Sequence, residues 1–182
     1  MTRIVAGTAG GRRLKVPLKG TRPTSERVRE ALFSALESMV DLDGARVLDL
    51  YAGSGALGFE ALSRGAAAAT FVESDRRAAD VLKGNARELG LGGVTVVNRP
   101  AEAFTATSGD AFDIVFADPP YAVTDEELGR VLTALVSNER VAQGTVLIVE
   151  RASRSPEPDW PDGVEPLRAK RYGDTALYWA QA

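Results

Sequence analysis

The chain has no cysteine and no histidine among its 182 residues. The first absence excludes disulfides and thiolate metal sites. The second removes the usual general base near neutral pH and the commonest metal ligand. Chemistry must therefore run on carboxylates, Lys, Tyr, hydroxyls or backbone groups, and no metal is expected. Long apolar runs are also missing: none would span a bilayer, and the basic N-terminus leads into no apolar signal-peptide stretch. A cytoplasmic protein is expected. What is present, 45% hydrophobic and 26% charged residues, suffices for the core of one ordinary domain.

The net charge of −3 hides an asymmetry. Residues 1–30 carry eight Lys/Arg against two Glu, whereas the rest carries fourteen basic and twenty-three acidic residues. This split suggests a basic arm for a polyanion attached to an acidic body. The arm, TRIVAGTAGGRRLKVPLKG, holds two β-prone pieces, Arg3–Ala6 and Arg12–Val16, around Gly7, Gly10 and Gly11, and reads as a hairpin. We therefore divide the chain into a basic hairpin extension, 1–22, and a main domain, 23–182. Arg3, Arg12, Arg13, Lys15, Arg22, Arg27 and Arg29 are the candidate RNA-binding residues, the last two near the mouth of a helix that Thr24 is expected to cap. That helix shows apolar positions from Val28 through Met39 to about Val40.

From Ala45 onward strands and helices alternate. Strands are expected at Arg46–Leu50, Ala69–Glu73, Val94–Asn98, Phe112–Ala117 and Thr145–Glu150. The intervening helices include one opened by a Thr124/Glu127 capping box. Four consecutive β–α units imply a parallel sheet covered on both faces. The end differs: strand-like Glu165–Tyr172 and Thr175–Ala180 flank the turn signal Gly173-Asp174. The expected fold is α/β, Rossmann-like, with a mostly parallel seven-stranded sheet that closes with an antiparallel hairpin, an ending that fits methyltransferases of this architecture better than nucleotide dehydrogenases.

Two motifs carry the chemistry. Gly53-Ser54-Gly55-Ala56-Leu57-Gly58 fits G-x-G-x-x-G between a strand and a helix, with Glu73 twenty residues on, where an acid takes ribose hydroxyls. Asp49 lies at the top of the preceding strand, with no basic residue between it and Gly58. It would be a poor neighbour for a pyrophosphate and a good one for the cationic amino group of S-adenosylmethionine. The second motif, Asp118-Pro119-Pro120-Tyr121, follows an apolar strand on the same sheet edge. The Asp118 carboxylate and Pro119 carbonyl can accept both hydrogens of an exocyclic amine, and Tyr121 can stack on a base flipped from its helix. Two other classes remain open at this point: a nicotinamide-binding oxidoreductase and a non-catalytic RNA-binding factor.

The blocks RIVAGTAGGRRL (Arg3–Leu14), RPTSERVREALFSAL (Arg22–Leu36), VLDLYAGSGALGFEALSRGA (Val47–Ala66), FVESD (Phe71–Asp75), DPPY and YGDTALYW (Tyr172–Trp179) resemble the RsmD-type 16S rRNA guanine-N2 methyltransferases, class I enzymes, over nearly the whole chain. The resemblance implies methylation of guanine 966 of 16S rRNA within the small ribosomal subunit; a monomer is expected. It implies S-adenosylmethionine as cofactor, surrounded by Asp49, Tyr51, Ala52, Gly53, Ser54, Gly55, Glu73, Ser74 and Ala101. It implies Asp118, Pro119, Pro120 and Tyr121 as the catalytic set at the target base. Many relatives carry a polar residue near adenine in the loop after the third strand of the main sheet; here Arg99-Pro100-Ala101 leaves adenine to backbone groups. DNA adenine-N6 and cytosine-N4 methyltransferases share the acid-Pro-Pro-aromatic tip and form the alternative reading.

Overall fold

A computed structural model describes residues 2–18 and 24–182. Its elements run β1 (Thr2–Arg3), β2 (Arg13–Leu14), α1 (Glu26–Glu37), β3 (Arg46–Leu50), α2 (Ala56–Ser63), β4 (Ala68–Val72), α3 (Arg76–Leu89), β5 (Val94–Val97), α4 (Ala101–Thr105), β6 (Phe112–Ala117), α5 (Asp125–Ser137), β7 (Val141–Ala152), β8 (Glu165–Tyr172) and β9 (Thr175–Gln181). The main sheet has the order β5-β4-β3-β6-β7-β9-β8. The first five strands are parallel, and β9 and β8 are antiparallel to their neighbours. The fold is the expected α/β, Rossmann-like one, with a small antiparallel N-terminal sheet of β1 and β2. The strand order reverses between β3 and β6, so their carboxyl ends open the crevice where ligands of such sheets bind.

Side chains alternate along each strand, so the sheet separates two apolar layers. One layer joins Val47, Phe71, Phe116, Ile148 and Trp179 to α1 through Leu32, Phe33 and Leu36, and to α2 and α3 through Phe59 and Leu82. The other joins Leu48, Val72, Val115, Leu147 and Tyr178 to α4 and α5 through Phe104, Leu128 and Leu132. The N-terminal hairpin belongs to the first layer, where it buries Ile4, Ala9 and Leu14.

The hairpin strands are shorter than the sequence suggests. The N–H groups of Val5 and Ala6 leave the ladder and bond to the Glu60 carboxylate at 2.8 and 3.1 Å. β7 is longer than expected at both ends, where Val141 pairs with Phe112 of β6 and β9 pairs on to Ala152. The N-cap of α1 is Ser25, whose hydroxyl accepts from Val28 N, and not Thr24. α1 ends at Glu37, short of Val40, and this leaves Met39 37% exposed. The Thr124/Glu127 capping box of α5 is present in both directions.

Candidate active site

The apolar strand β3 ends in Leu50, and the chain then turns sharply. Tyr51 takes a left-handed φ of 58°, a costly conformation for a residue with a side chain, and such strain gathers at functional sites. Gly55 caps α2 at φ 82°. A Cβ on Gly58 would stand 2.3 Å from the Phe71 ring, so glycine here lets α2 lie directly on β4. Two acids hold the loop. Glu73 accepts from Gly53 N at 2.9 Å and from Asp75 N at 2.8 Å. Asp49 accepts from Gly58 N at 3.0 Å. Asp49 is buried with no cationic side chain on it among the described residues, and burial pushes its carboxyl up to about 8.

Beside this loop a cavity of about 450 Å³ is lined by Tyr51, Glu73, Ser74, Ala101, Asp118 and Pro120. The fold thus gathers six of the expected cofactor and catalytic positions around one space. Ala52, Gly53, Ser54 and Gly55 form the turn beside it and Asp49 stands within β3, none of them lining it. The donor set fits S-adenosylmethionine: an uncompensated buried acid suits its ammonium, and an acid at the end of β4 suits its ribose.

A second cavity, of about 340 Å³, lies on the other side of Asp118, against the start of α1 and the β8–β9 turn. Asp118, Pro120 and Tyr121 line it with Thr24, Glu150 and Thr175. Asp118 and Pro120 therefore form the wall common to both cavities. The Asp118 carboxyl is pushed well above the usual carboxylate range by burial, then by Glu150 and Asp49. Pro120 O accepts from Val123 N at 3.0 Å, whereas Pro119 O has no protein donor among the described residues. Of the two proline carbonyls, then, only that of Pro119 remains open. Tyr121 is 75% exposed at the rim.

Residues 2–181 match a family model described as "Conserved hypothetical protein 95". The chain is 40% identical over 183 residues to Ribosomal RNA small subunit methyltransferase D of Escherichia coli K12, an alignment that covers 99% of this chain and 90% of that one. The chain belongs to that family. A solved structure of the putative methyltransferase yhhF from Escherichia coli superposes with a TM-score of 0.88 at 37% identity, covering 99% of this chain and 97% of that one. At 17% identity the fold recurs, with TM-score 0.65 and coverage of 85% and 78%, in magnesium protoporphyrin IX methyltransferase from Synechocystis, whose structure holds bound S-adenosylmethionine. The protein is a methyltransferase.

Several residues of this methyltransferase's site escaped sequence reasoning. Thr24 is not a cap; its hydroxyl donates to the Glu150 carboxylate. Thr175, at the start of β9, donates to the same group. Arg151 ties the loop after Tyr121 in place, bonding Asp125 at 2.8 Å and Val123 O at 3.4 Å. The available signal was Glu150-Arg151 itself, a charged pair closing the apolar strand run, as Asp118 does one strand over.

The basic residues divide into two groups. Arg3, Arg12, Arg13, Lys15 and Arg27 are exposed. Arg3 pairs with Glu26 at 3.5 Å and Lys15 with Glu88 at 3.1 Å, while Arg12 bonds Glu88 O. Arg22 lies outside the described residues. Arg29 is a correction: it is fully buried and is not available to RNA. Its Nε stands 3.5 Å from Glu60 Oε1, and its Nη2 donates to Arg3 O, so it clamps the hairpin onto the core. Helical spacing places Arg29 one turn after Ser25, but only packing shows which side of that turn faces inward. The edge strand β8 lies where expected, but its basic residues were not singled out. It is exposed from Glu165 to Arg171 and carries Arg168, Lys170 and Arg171 toward Tyr172 on the rim of the second cavity. Among the described residues no helix is long and apolar enough to cross a membrane.

Proposed function

We propose that this enzyme methylates the exocyclic N2 amine of a guanine in 16S rRNA of the small ribosomal subunit, guanine 966 by its family. The observation that carries the reading is the shared wall: two cavities, one beside the glycine loop and one facing the N-terminus of α1, meet at Asp118 and Pro120. S-adenosylmethionine, held by Asp49, Tyr51, Glu73, Ser74 and Ala101 with the turn from Ala52 to Gly55, supplies an electrophilic methyl on a sulfonium. In the second cavity the Asp118 carboxylate and the Pro119 carbonyl accept the two amine hydrogens. This aims the nitrogen lone pair along the shared wall and opposes the positive charge that develops on nitrogen. Asp118 is also the acceptor for the proton that nitrogen then sheds. Tyr121, at the rim, stacks on the flipped base.

The rRNA approaches from the rim, where Arg27, in the first turn of α1, and the basic edge of β8 meet phosphates, and Arg12 and Arg13 on the hairpin extend the contact beyond it. The hairpin extension 1–22 is thus the RNA-facing part of a chain whose remainder, 23–182, holds the methyl donor. The test is methyl transfer to hypomethylated small subunits and to naked 16S rRNA, with the product nucleoside identified by mass spectrometry. Asp118→Ala should lower kcat at least about 100-fold, as loss of one preorganised hydrogen-bonding group does, and leave S-adenosylhomocysteine binding within threefold. N6-methyladenine as the product, or unchanged turnover in Asp118→Ala, would refute the reading.

A further inference from the structure

The second cavity is lined by three carboxyl groups, Asp118, Glu150 and, from the β8–β9 turn, Asp174, where amine transfer needs one. Val149 pairs with Ala117 in the parallel register of β6 and β7, so the next residues, Asp118 just past the end of β6 and Glu150 within β7, stand side by side. Phe116 and Ile148, two positions back, face the α1 layer, and alternation turns Asp118 and Glu150 to that same side. There Glu150 lines the cavity with Asp118 and receives the hydroxyls of Thr24 and Thr175. These two bonds, from different elements, fix its rotamer. Arg151 is the cation among the described lining residues, and its guanidinium is engaged by Asp125 and Val123 O. The cavity thus presents Asp118 and Glu150 as adjacent carboxyl groups to whatever enters.

We infer that Glu150 recognises the target base by accepting N1–H of guanine while Asp118 accepts from the N2 amine. The assignment rests on the guanine-N2 reading above and adds the reason for the choice of base. Among amine-bearing bases only guanine offers two donors side by side on its Watson–Crick edge. Adenine and cytosine place an acceptor nitrogen next to the amine, and a carboxylate facing that nitrogen would be unpaired. A site built to hydrogen-bond a donor strongly rejects an analogue that lacks it. Glu150 is therefore a specificity residue, distinct from the amine-holding role of Asp118.

The experiment places guanine or 2-aminopurine at the mapped target position of ligated 16S rRNA, reconstituted into small subunits. 2-Aminopurine keeps the 2-amine but carries an acceptor at N1. Wild-type enzyme should favour guanine by at least about tenfold in kcat/KM, the value of one well-placed base contact. In Glu150→Gln the amide N–H can meet the acceptor, so the preference should fall to within about threefold or reverse. Thr175→Val, which frees Glu150 without removing it, should narrow the preference in the same direction. S-adenosylhomocysteine binding serves as the folding control for both variants. An unchanged preference in both variants overturns the proposal while the guanine-N2 reading stands. Wild-type product bearing its methyl on any atom other than guanine N2 overturns both together.

Discussion

Glu60 is the residue on which the N-terminal hairpin hangs, and its removal makes a demanding test of the fold. Its carboxylate is fully buried and accepts from Val5 N, Ala6 N and Arg64 Nε at 2.8, 3.1 and 2.9 Å, beside Arg29 at 3.5 Å. Glu60→Ala leaves the Arg29 guanidinium buried without its counter-charge. Burial already pushes that group below its ordinary pKa, against the pull of Glu60 and Glu26. Breaking a buried pair this way costs about 3–5 kcal/mol. The two freed backbone N–H groups add to this, but the hairpin can loosen and let water reach them, so a total of about 4 kcal/mol is expected. For a chain of this size, Tm falls about 2–4 °C per kcal/mol, which predicts a drop of about 8–16 °C by calorimetry. Arg29→Met should cost less than Glu60→Ala, since Glu60 keeps Arg64 and both N–H donors. Losses below about 1 kcal/mol for both variants would refute the clamp. So would an Arg29→Met enzyme of native stability whose RNA binding has a shallower salt dependence.

The remaining tests address the cofactor side and the RNA face. Asp49, at about 8 against an ordinary 3.8, holds a proton in the folded protein that the unfolded chain has released. Stability of the ligand-free enzyme should therefore fall as pH rises from about 4 to 8, and Asp49→Asn should flatten that decline in thermal melts. If Asp49 meets the cofactor ammonium, S-adenosylhomocysteine binding at pH 7 should release close to one proton in calorimetry across two buffers, and Asp49→Asn should release none. Gly58→Ala places a methyl 2.3 Å from Phe71 and should destabilise by about 1–3 kcal/mol in urea titrations; a neutral result would mean that α2 is not pressed on β4. Neutralising Arg12 and Arg13 together should weaken small-subunit binding and reduce its salt slope by about 2, with cofactor affinity unchanged. A collapse of cofactor affinity would instead make the hairpin part of the methionine pocket.

The sequence by itself determined the alternation of strands and helices, because period-two and period-3.6 patterns follow from local geometry. β3 and β6 lie where their apolar runs place them, and the two motifs sit at their carboxyl ends. Tertiary structure decided which charges are buried. Arg27 and Arg29 look alike in the chain, yet one faces solvent and the other fills the core, because Glu60 arrives from a helix thirty residues later. It also decided which acids share a cavity. Nothing local to Glu150 connects it with Asp118; the parallel register of β6 and β7 sets the two residues side by side, and hydroxyls from the segment before α1 and from β9 meet Glu150 in the cavity they share. Periodicity is written between neighbours in sequence, whereas such partnerships exist only between neighbours in space.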